Sequence, residues 1–116
     1  MNAELEIQYF RSLETELALA KETIDPDNRI LDTIYFGGGT PSLADLDSLQ
    51  KLLTKIKKIF ALKKNLEFSF EINPESIDSA RLGLLKELGV NRPIFGVQSF
   101  NPDLLKILNR KHNLDD

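Results

Sequence analysis

A chain of 116 residues has room for at most one ordinary domain, or for a piece of a larger one. Its hydrophobic fraction of 41% and its charged fraction of 28% are typical of globular proteins and exclude a disordered chain. The net charge of −3 gives no basic field that would favour nucleic acid or an anionic membrane as a partner. The lysines within residues 51–64 alternate with apolar residues at helical spacing, and we expect them to form a solvated helix face.

No apolar run approaches the ~20 residues that cross a membrane, so we expect no transmembrane segment. No signal-peptide pattern opens the chain, and we expect a cytoplasmic location. Because the sequence has no cysteine, disulfides, thiolate metal sites and a cysteine nucleophile are excluded within it. The single histidine, His112, has no neighbouring metal ligands in the sequence, and we expect it to be a polar surface residue.

The first predicted elements are a helix over residues 3–24 and a strand over residues 29–36. Apolar residues recur in steps of three and four along the helix, which the sequence DPDN at 25–28 ends. The last four residues of the strand are almost all apolar or aromatic, which is typical of a strand covered on both faces. Three glycines, 37–39, follow it directly.

A second helix is predicted to begin at Ser42, with Asp45 completing an approximate capping box. The next predicted strand covers residues 66–72. We expect the third helix to begin at Ser76 and to be closed by Gly89 as its C-terminal cap.

A third strand is predicted over residues 93–100, with Pro93 at its start, where a missing backbone donor is tolerated. Asn101 and Pro102 then provide the cap and the first position of a last helix that reaches residue 110. This alternation predicts an α/β protein whose parallel sheet has right-handed crossovers. Because about three strands leave both sheet edges open, we expect the chain to be part of a longer barrel or open sheet.

The loops that follow the three predicted strands are polar or rich in glycine, although the strands themselves are apolar. They read GGGTPS, EINPES and VQSFN. In a parallel sheet such loops emerge at the same end, where binding sites form. The residues that we expect around this one mouth are Gly37, Gly38, Gly39, Thr40, Glu71, Asn73, Gln98 and Ser99.

The glycine run permits positive φ and lets a ligand approach backbone amides closely. It is not a dinucleotide fingerprint, because Ser42 stands where GxGxxG requires glycine, and no Gly-Lys-Ser/Thr follows to make a Walker loop. The alternative is a purely structural strand-to-helix turn. Three consecutive glycines, at roughly 0.5–1 kcal/mol each, are costly for a turn alone.

Three polar side chains complete the candidate site. Glu71 is a ligand-binding carboxylate, a solvated side chain or a cap of the next helix. A buried amide such as Gln98 needs partners for its donor and its acceptor, which a ligand can supply. Arg110 taken alone is a cation near a helix C-terminus. Together these groups suit a zwitterionic ligand with ribose hydroxyls, and no catalytic residue is assigned because no Ser-His-Asp or paired acid/base set is present.

Three sequence blocks carry a family resemblance. YFGGGTPSL, EINPES and GVQSFNPDLLKILNRKHN, in this order, resemble the radical S-adenosylmethionine (SAM) proteins of the oxygen-independent coproporphyrinogen III oxidase family. GVQSFN followed by R.HN is more similar to the HemW-type haem chaperones than to the oxidases. The resemblance implies a partial (βα) TIM barrel that holds SAM and a [4Fe–4S] cluster at the C-terminal mouth of its strands.

The resemblance also implies roles in the whole protein. The oxidases cleave SAM reductively to a radical that attacks the propionates of coproporphyrinogen III, and the chaperones bind and deliver haem. Given that resemblance, we infer the physical roles: the glycine amides and Thr40 would lie toward the methionine end of SAM. Glu71 would lie toward its ammonium or the ribose, Gln98 toward the ribose and Arg110 toward the carboxylate. The full set of implied SAM contacts is Gly38, Gly39, Thr40, Glu71, Gln98 and Arg110.

The family's cluster rests on a CxxxCxxC motif in the loop after the first strand, and this sequence has no cysteine. We therefore expect residues 1–116 to be a fragment of a radical SAM core that lacks the first strand, the cysteine loop, the later strands and the C-terminal domain. Such a fragment would be inactive alone, because it cannot hold the cluster. The alternative is a cluster-free α/β module whose GGGTP loop binds a nucleotide-like ligand.

Overall fold

Helices and strands alternate along residues 3–113, the part of the chain that the computed structural model describes. The elements are α1 (Ala3–Thr23), β1 (Ile30–Phe36), α2 (Leu46–Ile59), β2 (Ala61–Ile72), α3 (Ser79–Leu88), β3 (Arg92–Phe95) and α4 (Pro102–Ile107). Single 3₁₀ turns lie at Pro26–Asn28, Pro41–Leu43 and Pro74–Ser76. The predicted α/β class with three parallel strands is confirmed, and the strand order is β1-β2-β3.

The described chain divides into two compact units. The first contains the described residues up to Ile34 together with Ala44–Glu67, and the second contains Tyr35–Leu43 together with the described residues from Phe68 onwards. Among the described helices, none combines the length and apolarity that a membrane-spanning segment requires.

In the first unit, α1 packs against α2. The buried residues of α2 are Leu49, Leu52 and Leu53. Five apolar side chains form the core of this unit: Phe10, Ile34, Leu49, Leu52 and Leu53. The lysines of residues 51–64 are all exposed, but the predicted helix face is confirmed only up to Lys58, because Lys63 and Lys64 lie in β2. Lys55 pairs with Glu14 of α1 at 2.5 Å.

In the second unit, the end of β2 supplies most of the core. Phe68, Phe70 and Ile72 are each 2% exposed or less. The Phe36 ring stacks on Phe70 with centroids 5.7 Å apart. Leu85 closes this core from α3. The apolar strand ends predicted from the sequence therefore form a packed centre next to the polar loops.

Strands β2 and β3 run parallel, with Ser69 opposite Arg92 and Ile72 opposite Phe95. Pro93 lies opposite Phe70, in the last strand of the described sheet. A proline is tolerated in such an edge strand, because no second neighbouring strand requires a hydrogen bond from its missing backbone N–H.

Two helices start later than the sequence predicts. Ser42 does not cap α2, because Asp45 takes that role and its carboxylate accepts from Ser48 N at 2.8 Å. Likewise α3 begins at Ser79, and its cap is Asp78 rather than Ser76. In both helices the aspartate carboxylate accepts an orphan amide of the first turn, which is the role of an N-cap.

The two displaced serines have a different role. Ser42 is fully buried and its hydroxyl shares a hydrogen bond with that of Ser76. Ser42 also accepts from Asn73 N at 3.3 Å, and its carbonyl accepts from Arg81 Nε at 2.7 Å. The serines therefore join the glycine loop to the loop after β2.

Two predicted caps are confirmed. Gly89 ends α3 with φ of 107°, a conformation that favours glycine. The Asn101 side chain accepts from the amides of Asp103 and Leu104, with Pro102 at the first helical position.

The third strand and the last helix are both shorter than predicted. Strand β3 ends at Phe95, and α4 ends at Ile107. The Gly96 carbonyl accepts from the Arg110 guanidinium at 3.0 Å instead of a neighbouring strand, and Gln98 has φ of 67°. The carbonyl is thus unavailable to a further strand and the φ of Gln98 interrupts extended backbone, so the apolar pattern after Phe95 belongs to a loop.

Candidate ligand site

A cavity of about 490 Å³ lies within the second unit, beside the C-terminal ends of β2 and β3. Its volume falls in the range of about 300–1,000 Å³ that is usual for small-molecule sites. The lining residues are Gly39, Thr40, Pro41, Glu71, Ile72, Asn73, Ile94, Gly96, Gln98 and Arg110. Five of the six residues to which the resemblance assigns SAM contacts therefore surround one cavity.

Gly38 is the sixth, and it acts on the cavity through Glu71. Its amide donates to Glu71 Oε2 at 3.0 Å, and the Tyr35 hydroxyl donates to Glu71 Oε1. The Tyr35 hydrogen bond first, and the Gly38 amide second, lower the pKa of Glu71 below its ordinary value. Glu71 is therefore neither a free solvated carboxylate nor a helix cap, but an ionised acceptor fixed at the cavity.

The glycine run has two separate structural reasons. Gly38 and Gly39 have φ of 80° and 58°, the left-handed region that side chains rarely adopt. At Gly37, a Cβ would lie 2.9 Å from Glu71 Oε1 and would collide with the Tyr35 ring. The run thus combines an unusual turn with a close approach of the carboxylate.

Tyr35 is a site residue that the sequence reasoning missed. Its side chain is 56% exposed, and the hydrogen bond to Glu71 raises the pKa of the Tyr35 hydroxyl above its ordinary value. The sequence feature that could have identified Tyr35 is its hydroxyl near the end of β1, where an adjacent strand can offer a hydrogen-bond acceptor.

Asn73 connects the glycine loop to Arg110. Its Nδ2 donates to Thr40 Oγ1 at 3.3 Å, and its Oδ1 accepts from Arg110 Nη2 at 3.1 Å. Asn73 was predicted at the mouth from its loop alone, and the structure gives it this bridging geometry.

Arg110 does not act as a simple cation at the end of a helix. Its Nη2 donates to Asn73, to Gly96 O at 3.0 Å and to Glu75 Oε2 at 3.3 Å. Its Nε is buried, and no atom of residues 3–113 accepts from it. A buried donor without an acceptor costs free energy, so this position favours a ligand oxygen.

Gln98 differs from its predicted environment. It was expected to be buried at the end of a strand, whereas it lies exposed in the loop after β3. Ser99 does not line the cavity, and its hydroxyl accepts from Asn101 N at 3.0 Å. The left-handed turn at Gln98 brings its amide to the cavity without burying it.

His112 was predicted to be a polar surface residue, and that prediction is wrong. The residue is 5% exposed. Its Nδ1 lies 2.9 Å from Glu75 Oε2, and its Nε2 lies 3.0 Å from Val97 O. Both partners are distant in sequence, so the polar stretch around His112 contains no sign of its burial.

The donor set fits SAM better than it fits an iron–sulfur cluster. The carboxylate of Glu71, the amide of Gln98 and the unpartnered Nε of Arg110 match the ammonium, hydroxyl and carboxylate groups of SAM. A [4Fe–4S] cluster is held by thiolates, and the sequence has none. Residues 3–113 also contain no group of three His, Asp or Glu side chains arranged to hold a metal ion.

The chain is similar to proteins of known family. A family model described as the radical SAM superfamily matches residues 3–116. A protein named "Heme chaperone HemW" from Bacillus subtilis is 41% identical over 94% of this chain and 28% of its own length. A protein named "Oxygen-independent coproporphyrinogen III oxidase" from Paracoccus denitrificans is 36% identical over 92% of this chain and 24% of its own length.

A solved structure supports the same relationship. Coproporphyrinogen III oxidase (HemN) from Escherichia coli, described as a radical SAM enzyme, superposes with a TM-score of 0.87 at 26% identity, over 97% of this chain and 26% of its own. The chain thus spans about a quarter of the length of the relatives that it matches. The family match covers nearly the whole sequence, and this chain belongs to the radical SAM superfamily.

Proposed function

We propose that this chain forms the SAM-binding part of a radical SAM protein that acts in haem or porphyrin metabolism. One observation supports this most strongly. The ionised Glu71 and the cationic Arg110, whose buried Nε has no acceptor among residues 3–113, line a single cavity, as a ligand with an ammonium and a carboxylate requires.

The chain's own residues would bind and orient SAM. The Arg110 Nε would donate to the methionine carboxylate, while Asn73 and Gly96 hold the guanidinium in place. Glu71 would take the ammonium or a ribose hydroxyl, and Gln98 would reach the ribose. Bound SAM supplies a 5′-deoxyadenosyl radical only when a cluster reduces it, and the residues of this chain do not fit that cluster.

Within the family, we favour a haem chaperone of the HemW type over a coproporphyrinogen oxidase. The identity is 41% to the relative named as the chaperone and 36% to the one named as the oxidase. The motif R.HN, which includes Arg110 and His112, also favours the chaperone. Haem or coproporphyrinogen III would be the partner of the whole protein.

The test is equilibrium binding of SAM to the 116-residue chain by isothermal titration calorimetry. We expect saturable binding that weakens at least about tenfold in Glu71→Gln and in Arg110→Gln, since each removes a charged hydrogen-bond partner. Glu87→Gln is the matched control, because it makes the same chemical change on an exposed face of α3 outside the cavity. Absence of SAM binding to the unaltered chain would overturn the proposal.

A second candidate is a cluster-free module that binds a nucleotide-like ligand, which the lack of cysteine favours. Adenosine and ATP distinguish the two functions in the same calorimeter. The SAM proposal expects adenosine to bind far more weakly than SAM, because adenosine lacks the carboxylate that Arg110 would bind and the ammonium that Glu71 could bind. Equal or tighter binding of ATP would favour the second candidate.

A further inference from the structure

His112 and Glu75 form a hydrogen-bonded pair that has no part in the cavity lining. The His112 side chain is 2% exposed and that of Glu75 is 23% exposed. Each of the two is nevertheless hydrogen-bonded to a residue that lines the cavity or directly precedes a lining residue. Glu75 accepts from Arg110 Nη2 at 3.3 Å, and His112 contacts the carbonyl of Val97, the residue before Gln98.

The partners of His112 determine its protonation. The Val97 carbonyl can only accept, so Nε2 must carry a proton. Burial raises the pKa of Glu75, but its own backbone amide, His112 and Arg110 outweigh burial and hold that pKa below its ordinary value. Glu75 is then an ionised carboxylate that can only accept, so Nδ1 must also donate across its 2.9 Å contact.

Both contacts are therefore satisfied only by the doubly protonated imidazolium. A neutral imidazole has one N–H and can donate to Val97 or to Glu75, but not to both. Loss of the Val97 bond leaves the turn at Gln98, where φ is 67°, held by the Ser99 amide alone, which donates to Val97 O at 2.8 Å. Loss of the Glu75 bond frees the carboxylate that, with Asn73, holds the Arg110 guanidinium.

We propose that His112 is a positioning residue. When doubly protonated, it holds both the Gln98 turn and the Arg110 guanidinium in place. When it loses a proton, it releases one of them. Among residues 3–113, the charged groups bonded to His112 or to its carboxylate partner are Glu75 and Arg110. This coupling belongs to the chain without ligand. Its effect on SAM affinity rests on the proposed function.

The coupling is tested by nuclear magnetic resonance of the ¹⁵N-labelled chain without ligand, titrated from about pH 5 to about pH 8, where histidine changes charge. The Gln98 amide and the Arg110 Nε–H signals should shift with the same midpoint as the His112 ring. Lys111→Gln, an exposed change next to His112, should keep this behaviour, and His112→Gln, which keeps a non-titrating amide, should lose it.

The positioning role is wrong if the Gln98 and Arg110 signals titrate independently of the His112 ring. The unaltered chain decides this comparison by itself, so the result does not depend on whether His112→Gln folds. Persistence of the shifts in a folded His112→Gln chain contradicts the role in the same way.

Calorimetry with SAM over the same pH range separates this inference from the proposed function. The affinity of the unaltered chain should fall about five- to tenfold as His112 deprotonates, because a charge-assisted hydrogen bond to the site is lost. His112→Gln should lack this fall, and any titration of SAM itself affects both proteins alike. Identical pH profiles would overturn the effect on the ligand site. Absence of SAM binding at every pH would overturn the proposed function, while the ligand-free titration still decides the role of His112.

Discussion

Glu71 shows how single residues organise the site. Its two carboxylate oxygens accept from Tyr35 and from the Gly38 amide, so one side chain fixes the glycine turn and presents a negative charge to the cavity. The left-handed φ of Gly38 and the missing side chain of Gly37 are both consistent with this arrangement. The conformational free-energy cost of ordering three glycines is thus offset by the hydrogen bonds that Glu71 accepts.

The acid sensitivity of folding should depend on Glu71. Its folded pKa is lowered, so its contribution is present above the unfolded carboxyl pKa of about 4.3 and is lost as pH falls through the folded value. We expect Glu71→Gln to lose less stability than the unaltered chain between about pH 7 and about pH 3. Urea unfolding followed by circular dichroism measures this difference.

Glu87→Gln is the control for that experiment, because Glu87 is exposed on α3 and does not line the cavity. It should retain the acid sensitivity of the unaltered chain. Equal loss of stability in Glu71→Gln and the unaltered chain would show that the Tyr35 and Gly38 hydrogen bonds do not favour the ionised carboxylate.

At the residue scale, the sequence predicted which loops meet but not how each side chain is held. Glu71 and Asn73 could be placed because they follow an apolar strand. His112 and Gln98 could not, because the burial of one and the exposure of the other depend on contacts with residues remote in sequence, such as Glu75, and on the local turn. Residue type and spacing contain no information on those contacts.

At the scale of elements, hydrophobic periodicity predicted the alternation of helices and strands correctly. The helix starts were wrong because serine and aspartate are both good caps, and the sequence does not reveal which one has a competing partner. Ser42 and Ser76 bond to each other, which leaves Asp45 and Asp78 to cap α2 and α3. The end of β3 was also missed, because an apolar pattern continues into the loop.

The capping role of Asp45 can be measured directly. Asp45→Ala should lower the free energy of unfolding by about 1 kcal/mol, because Ser48 N loses its acceptor in the first turn of α2. Asp45→Asn is the matched control and should stay within a few tenths of a kcal/mol, since asparagine caps about as well. Denaturant unfolding gives both values, and equal stability of Asp45→Ala and the unaltered chain would refute the assignment.

The glycine loop and helix α3 offer a paired test of backbone conformation. A Cβ at Gly38 or at Gly83 would meet no atom within 4 Å, so contacts do not distinguish the two positions. Gly38→Ala should destabilise the chain by about 1–2 kcal/mol, because φ is 80° there. Gly83→Ala should stabilise it by about 0.5–1 kcal/mol, because Gly83 lies inside a helix.

Chemical denaturation of both glycine variants checks this prediction by the sign of the change in the free energy of unfolding. Stabilisation by Gly38→Ala would contradict the left-handed turn. Destabilisation by Gly83→Ala would contradict a regular helix at that position.

At the scale of the whole molecule, the resemblance found in three sequence blocks is confirmed by a family match that covers residues 3–116. The chain spans about a quarter of its relatives, and it supplies a cavity with ligand-binding groups but no thiolate. Sequence alone could reach the family because the blocks lie at the ends of β1, β2 and β3, where the cavity forms.

The most direct test of the account is to map SAM on the ¹⁵N-labelled 116-residue chain by nuclear magnetic resonance. We predict that saturating SAM shifts the amide signals of the cavity residues and their neighbours in the second unit, above all Gly38, Gly39, Thr40, Glu71 and Gln98, together with the Arg110 Nε–H signal. The exposed lysines of residues 51–64 should be unaffected. Absence of shifts at saturating SAM, or shifts confined to residues outside the cavity, would contradict the assignment of this site.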